Sequence, residues 1–249
     1  MINPYNTGLD RNPANYQPLT PLSFLQRAAE VYPKHIAIIH GSIKRNYSQF
    51  YNRSLQLASA LSARGIIRGD TVSVILPNTP AMLESHYGVP MCGAVLHSIN
   101  TRLDPETIAY QLDHSDSKAL IVDREFLEVA RSSLKLAKAN PILIDYNDSG
   151  HPVSNSLPNA TEYESFLLEG DEDYKWLMPD DEWDAISLNY TSGTTGNPKG
   201  VVSHHRGAYL LAQGNAMIAS IKKHSVYLWT LPMFHCNGWC FPWTMSAII

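Results

Sequence analysis

Cysteine is scarce in this chain, and basic residues nowhere accumulate. Only Cys92, Cys236 and Cys240 occur in 249 residues. An odd, sparse set excludes a disulfide framework and points to a reducing, intracellular compartment. Long apolar runs are missing too: no stretch approaches the ~20 residues that a membrane span needs. Residues 1–11 are polar and lack the apolar core of a secretory signal. The formal net charge is −4, with no block of lysine or arginine. A nucleic acid or an anionic membrane is therefore offered no general electrostatic attraction, and any bound anion must be held by a local site. Internal repeats and low-complexity segments are also absent.

Hydrophobic residues make up 44% and charged residues 17% of the chain, the balance of a globular protein. Apolar spacing at Leu22, Leu25, Ala28 and Ala29, stopped by Pro33, predicts a helix. Residues 36–40 and 43–47 flank Gly41-Ser42 as a hairpin would. Ser48 is the expected cap of the next helix, which closes at Gly65. An alternation follows. Strands are expected over 71–76, 94–97, 119–122, 142–144 and 185–189. Helices are expected over 80–92, over 125–139, and from Asp104-Pro105-Glu106 to about His114, where a cap, a proline and an acid mark the start. Residues 146–158 read as a loop and 171–183 as a surface connection. Strands alternating with helices imply an α/β fold, a largely parallel sheet flanked by helices.

Residues 190–200 read YTSGTTGNPKG. Gly193, Gly196 and Gly200 let backbone N–H groups turn toward an anion. Thr191, Ser192, Thr194 and Thr195 add hydroxyl donors, and Lys199 adds a point charge suited to phosphate. The spacing is not that of the Walker A loop, because Lys199 precedes glycine instead of Ser/Thr. Short Gly/Ser/Thr stretches are commonly solvated surface loops. This one lies between an expected strand and a second apolar strand at Val201-Val202, as a phosphate cradle would. Farther on, a strand is expected over 227–231, and His204-His205 begins a helix.

YTSGTTGNPKGV closely resembles the signature of the adenylate-forming superfamily, which includes acyl-CoA synthetases, coumarate-CoA ligases, luciferases and peptide-synthetase adenylation domains. Residues 100–123 (NTRLDPETIAYQLDHSDSKALIVD) resemble the segment ahead of that loop, and residues 231–243 (LPMFHCNGWCFPW) resemble the acyl-pocket segment. The likeness runs from about Leu22 onward. It is closest to fatty and medium-chain acyl-CoA synthetases of the plant acyl-activating group, which implies a peroxisomal or cytoplasmic location. It further implies ATP, Mg²⁺ and coenzyme A as cofactor and co-substrates, and a small carboxylic acid as substrate. Thr191, Ser192, Gly193, Thr194, Thr195, Gly196 and Lys199 would hold the β- and γ-phosphates, with Thr191 beside the metal. Lys199 and His235 would act on developing charge. Phe234, His235 and Trp239 would border the acyl group, Trp239 as a gate. Trp243 reads better as a core aromatic. The Cys236/Cys240 spacing beside His235 lacks the four ligands of a structural zinc site.

The resemblance also implies an incomplete N-terminal domain over 1–249. The adenine-gripping segment, the glutamate of the metal site, the ribose-binding aspartate and the small C-terminal domain lie later in the family order. The apolar residues Phe241, Trp243, Met245, Ile248 and Ile249 would then lack cover, and these 249 residues alone would not make acyl-CoA. Two other readings stand beside an acid–CoA ligase: a non-catalytic homologue, and an enzyme that delivers its acyl group to a carrier protein.

Overall fold

A helix, a hairpin and a second helix begin the folded part of the computed structural model, which describes residues 3–191 and 197–249. They are α1 (Leu22–Val31), β1 (Ile36–His40), β2 (Ile43–Asn46) and α2 (Tyr47–Ala63). The cap of α2 is Asn46 and not Ser48. The Asn46 side chain accepts from the Gln49 N–H at 2.9 Å, and the Gln49 side chain accepts from the Asn46 N–H at 3.0 Å. That reciprocal pair satisfies two helix-end donors at once, which a serine inside the first turn cannot do.

The sheet is then built from β3 (Thr71–Ile75), α3 (Pro80–Met91), β4 (Val95–Ser98), α4 (Pro105–His114), β5 (Ser117–Asp123), α5 (Leu127–Leu136), β6 (Ile142–Tyr146), β7 (Thr161–Glu162), α6 (Tyr163–Leu167), β8 (Ala185–Thr191), β9 (Lys199–His204) and α7 (His205–Ile218). Strand order is β7-β6-β5-β3-β4-β8-β9. Every neighbouring pair is parallel except β8–β9, which is antiparallel. The largely parallel α/β sheet expected from the alternation is present. The short pair β7 and α6 escaped sequence reading, since two residues of strand and one turn of helix carry no period.

Chirality distributes the helices. From β3 the chain moves one way to β4, and from β4 it returns past β3 to β5. Right-handed crossovers must then put α3 and α4 on opposite faces. Side-chain alternation agrees. Val72, Val74, Ala119 and Ile121 join the core beneath α1, α2 and α3, while Ile75, Leu120 and Val122 join the second core with Ile108 and Leu112 of α4 and Leu127 and Ala130 of α5.

In the last forty residues one expectation is overturned and another is met only in part. Residues 227–231 form no strand and join no sheet. The segment expected to lack cover forms α8 (Phe241–Ala247), which packs against α7, α1 and α3. Trp243 is 1% exposed and Ile249 4%. The Trp243 indole donates to the His86 carbonyl at 3.1 Å, and Arg27 holds the Ile249 carbonyl at 2.9 Å. Phe241, Met245 and Ile248 stay partly exposed.

Candidate functional site

In an open parallel sheet, strand carboxyl ends at a reversal of strand order form a natural crevice. Here that reversal brings together the carboxyl ends of β3, β4 and β8. Each contributes one polar side chain, and all three grip the same stretch, residues 231–237. Asn78, just after β3, donates to the Leu231 carbonyl at 2.8 Å and accepts from the Met233 N–H at 2.8 Å. Ser98, the last residue of β4, donates to Asn237 Oδ1 at 3.2 Å. Asn189 in β8 donates to the Phe234 carbonyl at 3.1 Å and to Ser98 Oγ at 3.3 Å. The aromatic-histidine segment is thus laid across the mouth of the sheet.

The segment then winds the wrong way. Cys236, Asn237, Gly238, Trp239 and Cys240 have φ of 42°, 44°, 57°, 54° and 62°, a left-handed turn. L-residues other than Gly and Asn resist this region at roughly 1–2 kcal/mol each, so neighbouring contacts must hold it. Asn215 of α7 donates to the Trp239 carbonyl at 2.8 Å, and the buried Asn237 is anchored by Ser98. Gly238 is required for a second reason. A Cβ there would come within 3.0 Å of the Trp229 ring and 3.2 Å of Pro242. The turn and the stretch before it border an open apolar recess of about 350 Å³, lined by Tyr227, Trp229, Leu231, Gly238, Trp239 and Phe241.

Of the residues singled out in the sequence, Trp239 is half-exposed and lines this recess. His235 is exposed and stands edge-on to Trp239, ring centroids 6.0 Å apart. Phe234 is buried in the core and meets the site through its carbonyl. Thr191 and Lys199 are register partners where β8 and β9 meet, so their side chains leave the same face of the ladder. Alternation puts Asn189 on that face as well, toward the 231–237 stretch. Ser192, Gly193, Thr194, Thr195 and Gly196 lie outside the described residues. Among the described residues, no cluster of three His, Cys, Asp or Glu side chains could hold a metal ion, and no helix is long and apolar enough to cross a membrane.

A sequence model of the AMP-binding enzymes matches residues 25–248. The chain belongs to the AMP-binding enzyme family. It is 50% identical over 251 residues to the peroxisomal acetate/butyrate–CoA ligase of Arabidopsis thaliana, covering 96% of this chain and 44% of that protein. It is 48% identical over 250 residues to an acetate–CoA ligase of Humulus lupulus, again over 96% of this chain and 44% of the relative. A solved long-chain-fatty-acid–CoA ligase from Archaeoglobus fulgidus superposes with a TM-score of 0.79 at 21% identity, over 94% of this chain and 46% of that one, a likeness of fold. The chain spans about 44% of the length of these curated relatives.

Asn78, Ser98, Asn189 and Asn237 escaped notice when the chain was read as sequence. Three of them are lone polar residues at the ends of apolar strands. Their role depends on strand order, which no local pattern encodes. The one available cue was polarity at the carboxyl end of a strand otherwise buried on both faces.

Proposed function

We propose that this chain provides the triphosphate loop and one wall of the acid site of an ATP-dependent acid–CoA ligase. The reading rests above all on one arrangement. The Thr191/Lys199 pair opens on the sheet face whose carboxyl end carries the Trp239 recess. A polyphosphate held at the first and a carboxylic acid seated in the second would approach each other over the ends of β4 and β8.

The chemistry proceeds in two displacements. A carboxylate oxygen of the acid attacks the α-phosphorus of ATP. The bond from that phosphorus to the bridging oxygen breaks, and pyrophosphate leaves with the electron pair. The sulfur of coenzyme A then attacks the acyl carbon and AMP departs. The carboxylate is already ionised at neutral pH, so the first step needs no general base. It needs charge neutralisation and alignment. Lys199 would neutralise the leaving pyrophosphate, and Ser192, Gly193, Thr194, Thr195 and Gly196 would donate to the β- and γ-phosphates. His235, exposed beside Trp239, would donate a hydrogen bond to charge developing on the acyl phosphate. Phe234 would act as backing for the acyl site and Trp239 as its gate.

Mg²⁺ commonly takes only one or two protein ligands, with phosphate oxygens and waters completing its octahedron. The exposed Thr191 hydroxyl fits that pattern, and the lack of an acidic cluster among the described residues does not conflict with it. When bound, the ion would neutralise charge on the triphosphate. Short acids are favoured by the names of the plant relatives, an acetate/butyrate–CoA ligase and an acetate–CoA ligase. The name of the Arabidopsis thaliana relative also favours a peroxisomal location over a cytoplasmic one.

The test uses tryptophan indole N–H resonances. Butyrate should move the signals of Trp229 and Trp239 and leave buried Trp243 in place. Mg·ATP should instead perturb the backbone amides of Thr191 and Lys199. Titrations in which neither ligand moves its own set would sink the proposal.

A further inference from the structure

Helix α4 lies on the sheet face opposite the recess, yet its last two turns reach both stems of the β8–β9 connection. The Tyr190 hydroxyl lies 2.7 Å from His114 Nδ1. The Tyr110 hydroxyl donates to the Pro198 carbonyl at 3.3 Å. Tyr190 immediately precedes Thr191, and Pro198 immediately precedes Lys199. Tyr110 and His114 are four residues apart, so they occupy consecutive turns on one helix face. Their rings stack with centroids 5.3 Å apart and planes at 25°. One stacked pair therefore holds the strand entering the connection and the strand leaving it.

The other side of Tyr190 is closed as tightly. Its ring meets His97 at 5.0 Å, and His97 is fully buried with Nδ1 2.8 Å from Ser73 Oγ. Ser73 is bonded in turn to Ser117 of β5. The cross-strand partner of Tyr190 is Gly200. A Cβ on Gly200 would stand 3.1 Å from Leu188 and in ordinary contact, 3.7 Å, with the Tyr190 ring, so glycine there spares the Leu188 side chain. Burial raises the Tyr190 phenol to about 12, so the hydroxyl that meets His114 keeps its proton.

We propose that Tyr110 and His114 are positioning residues that fix the two stems of the 191–199 connection at the separation that holds a polyphosphate. This rests on the reading of that connection as a triphosphate site. The reason is physical. Thr191 and Lys199 sit at the end of the last pair of strands among the described residues, where a ladder frays unless something braces it. On one face they need room for the anion, so the brace must come from the other. Helix α4 supplies it, and the affinity of the loop becomes a property of side chains that never touch the ligand.

The probe is inorganic tripolyphosphate, which lacks the adenosine and so reports on the loop alone. Its binding to the 249-residue chain is measured by calorimetry for the unaltered protein and for Tyr110→Phe, His114→Ala and His114→Gln. Tyr110→Phe keeps the stacked ring and removes only the hydroxyl. His114→Gln restores a hydrogen-bond partner for Tyr190. Loss of one hydrogen bond should weaken tripolyphosphate binding about three- to tenfold in Tyr110→Phe and His114→Ala. His114→Gln should recover most of that loss. Hydrogen exchange at the Thr191, Lys199 and Gly200 amides should accelerate in parallel, with the thermal midpoint of the chain unchanged. A chain that binds tripolyphosphate equally well in all four forms overturns the brace and leaves the triphosphate site standing. An unaltered chain that fails to bind tripolyphosphate overturns the triphosphate reading and the brace with it. Equal weakening in His114→Ala and His114→Gln also counts against the brace, because it removes the hydrogen bond as the cause.

Discussion

Gly238 and Trp239 sit side by side in a left-handed turn, and they answer to different forces. Gly238 is fixed by space, since its missing side chain admits the Trp229 ring. Trp239 adopts an unfavourable φ of 54° to present its ring, half-exposed, to the recess. Strain of that kind persists where the surroundings over-determine it, and it gathers at ligand clamps. We predict that Gly238→Ala destabilises the chain by about 1–2 kcal/mol in urea unfolding and weakens butyrate binding, because Trp229 must move into the recess. Unaltered stability together with unaltered binding would show that Trp229 yields freely. Trp239→Ala should leave tripolyphosphate affinity as it was and shift acid preference toward longer chains, measured across a series of straight-chain acids from acetate to octanoate. A fall in tripolyphosphate binding with constant acid preference would make Trp239 a structural residue.

Helix α3 carries an example of function-free engineering at the scale of elements. Glu84 is fully buried. It accepts from Arg45 of the hairpin at 2.8 Å, from Arg53 of α2 at 2.6 and 3.2 Å, and from the Tyr163 hydroxyl of α6 at 2.9 Å. One carboxylate thus joins four elements on one face of the sheet. Removing it leaves two arginines, only 15% and 17% exposed, with the half-exposed Glu164 as their remaining acid. Glu84→Ala should therefore cost about 3–5 kcal/mol in denaturant unfolding, and a loss under 1 kcal/mol would mean that water reaches the site. The sequence showed α3 as an apolar helix and gave no hint of this hub, because its partners come from positions 39, 31 and 79 residues away. The same limit governed the candidate site. The Thr191/Lys199 motif was legible because it is local and dense. The order of β3, β4 and β8, the Asn78/Ser98/Asn189 grip and the left-handed turn were not, because each depends on which strands become neighbours. The expected strand at 227–231 failed for a related reason. Tyr227, Trp229 and Leu231 alternate as strand residues do, but they line a recess instead of a ladder.

At the scale of the whole molecule, three buried histidines set the response to acid. Burial holds the imidazoles of His86, His97 and His205 down to about 4, 3 and 4. In the unfolded chain they would take up protons below about pH 6.5. Between that pH and about 4 the unfolded state binds more protons, so stability falls as pH falls. Asp123 opposes this. Burial raises its carboxyl to about 6, so the folded state protonates it first. Three groups act against one, and the net sign is loss. We predict that the urea midpoint drops between pH 7 and pH 5, on the order of 1.4 kcal/mol per pH unit for each uncompensated histidine. A midpoint that stays level over that range would mean that the imidazoles are hydrated.

The claim on which the functional account turns is that the β8–β9 connection holds the triphosphate of ATP through Lys199. Mg·ATP binding to the chain, measured by calorimetry with inorganic tripolyphosphate as competitor, tests it directly when repeated on Lys199→Ala. The account predicts that tripolyphosphate displaces ATP and that Lys199→Ala weakens both ligands about ten- to a hundredfold, the worth of one charge-assisted contact. ATP binding that tripolyphosphate cannot displace, or that survives Lys199→Ala undiminished, would contradict it.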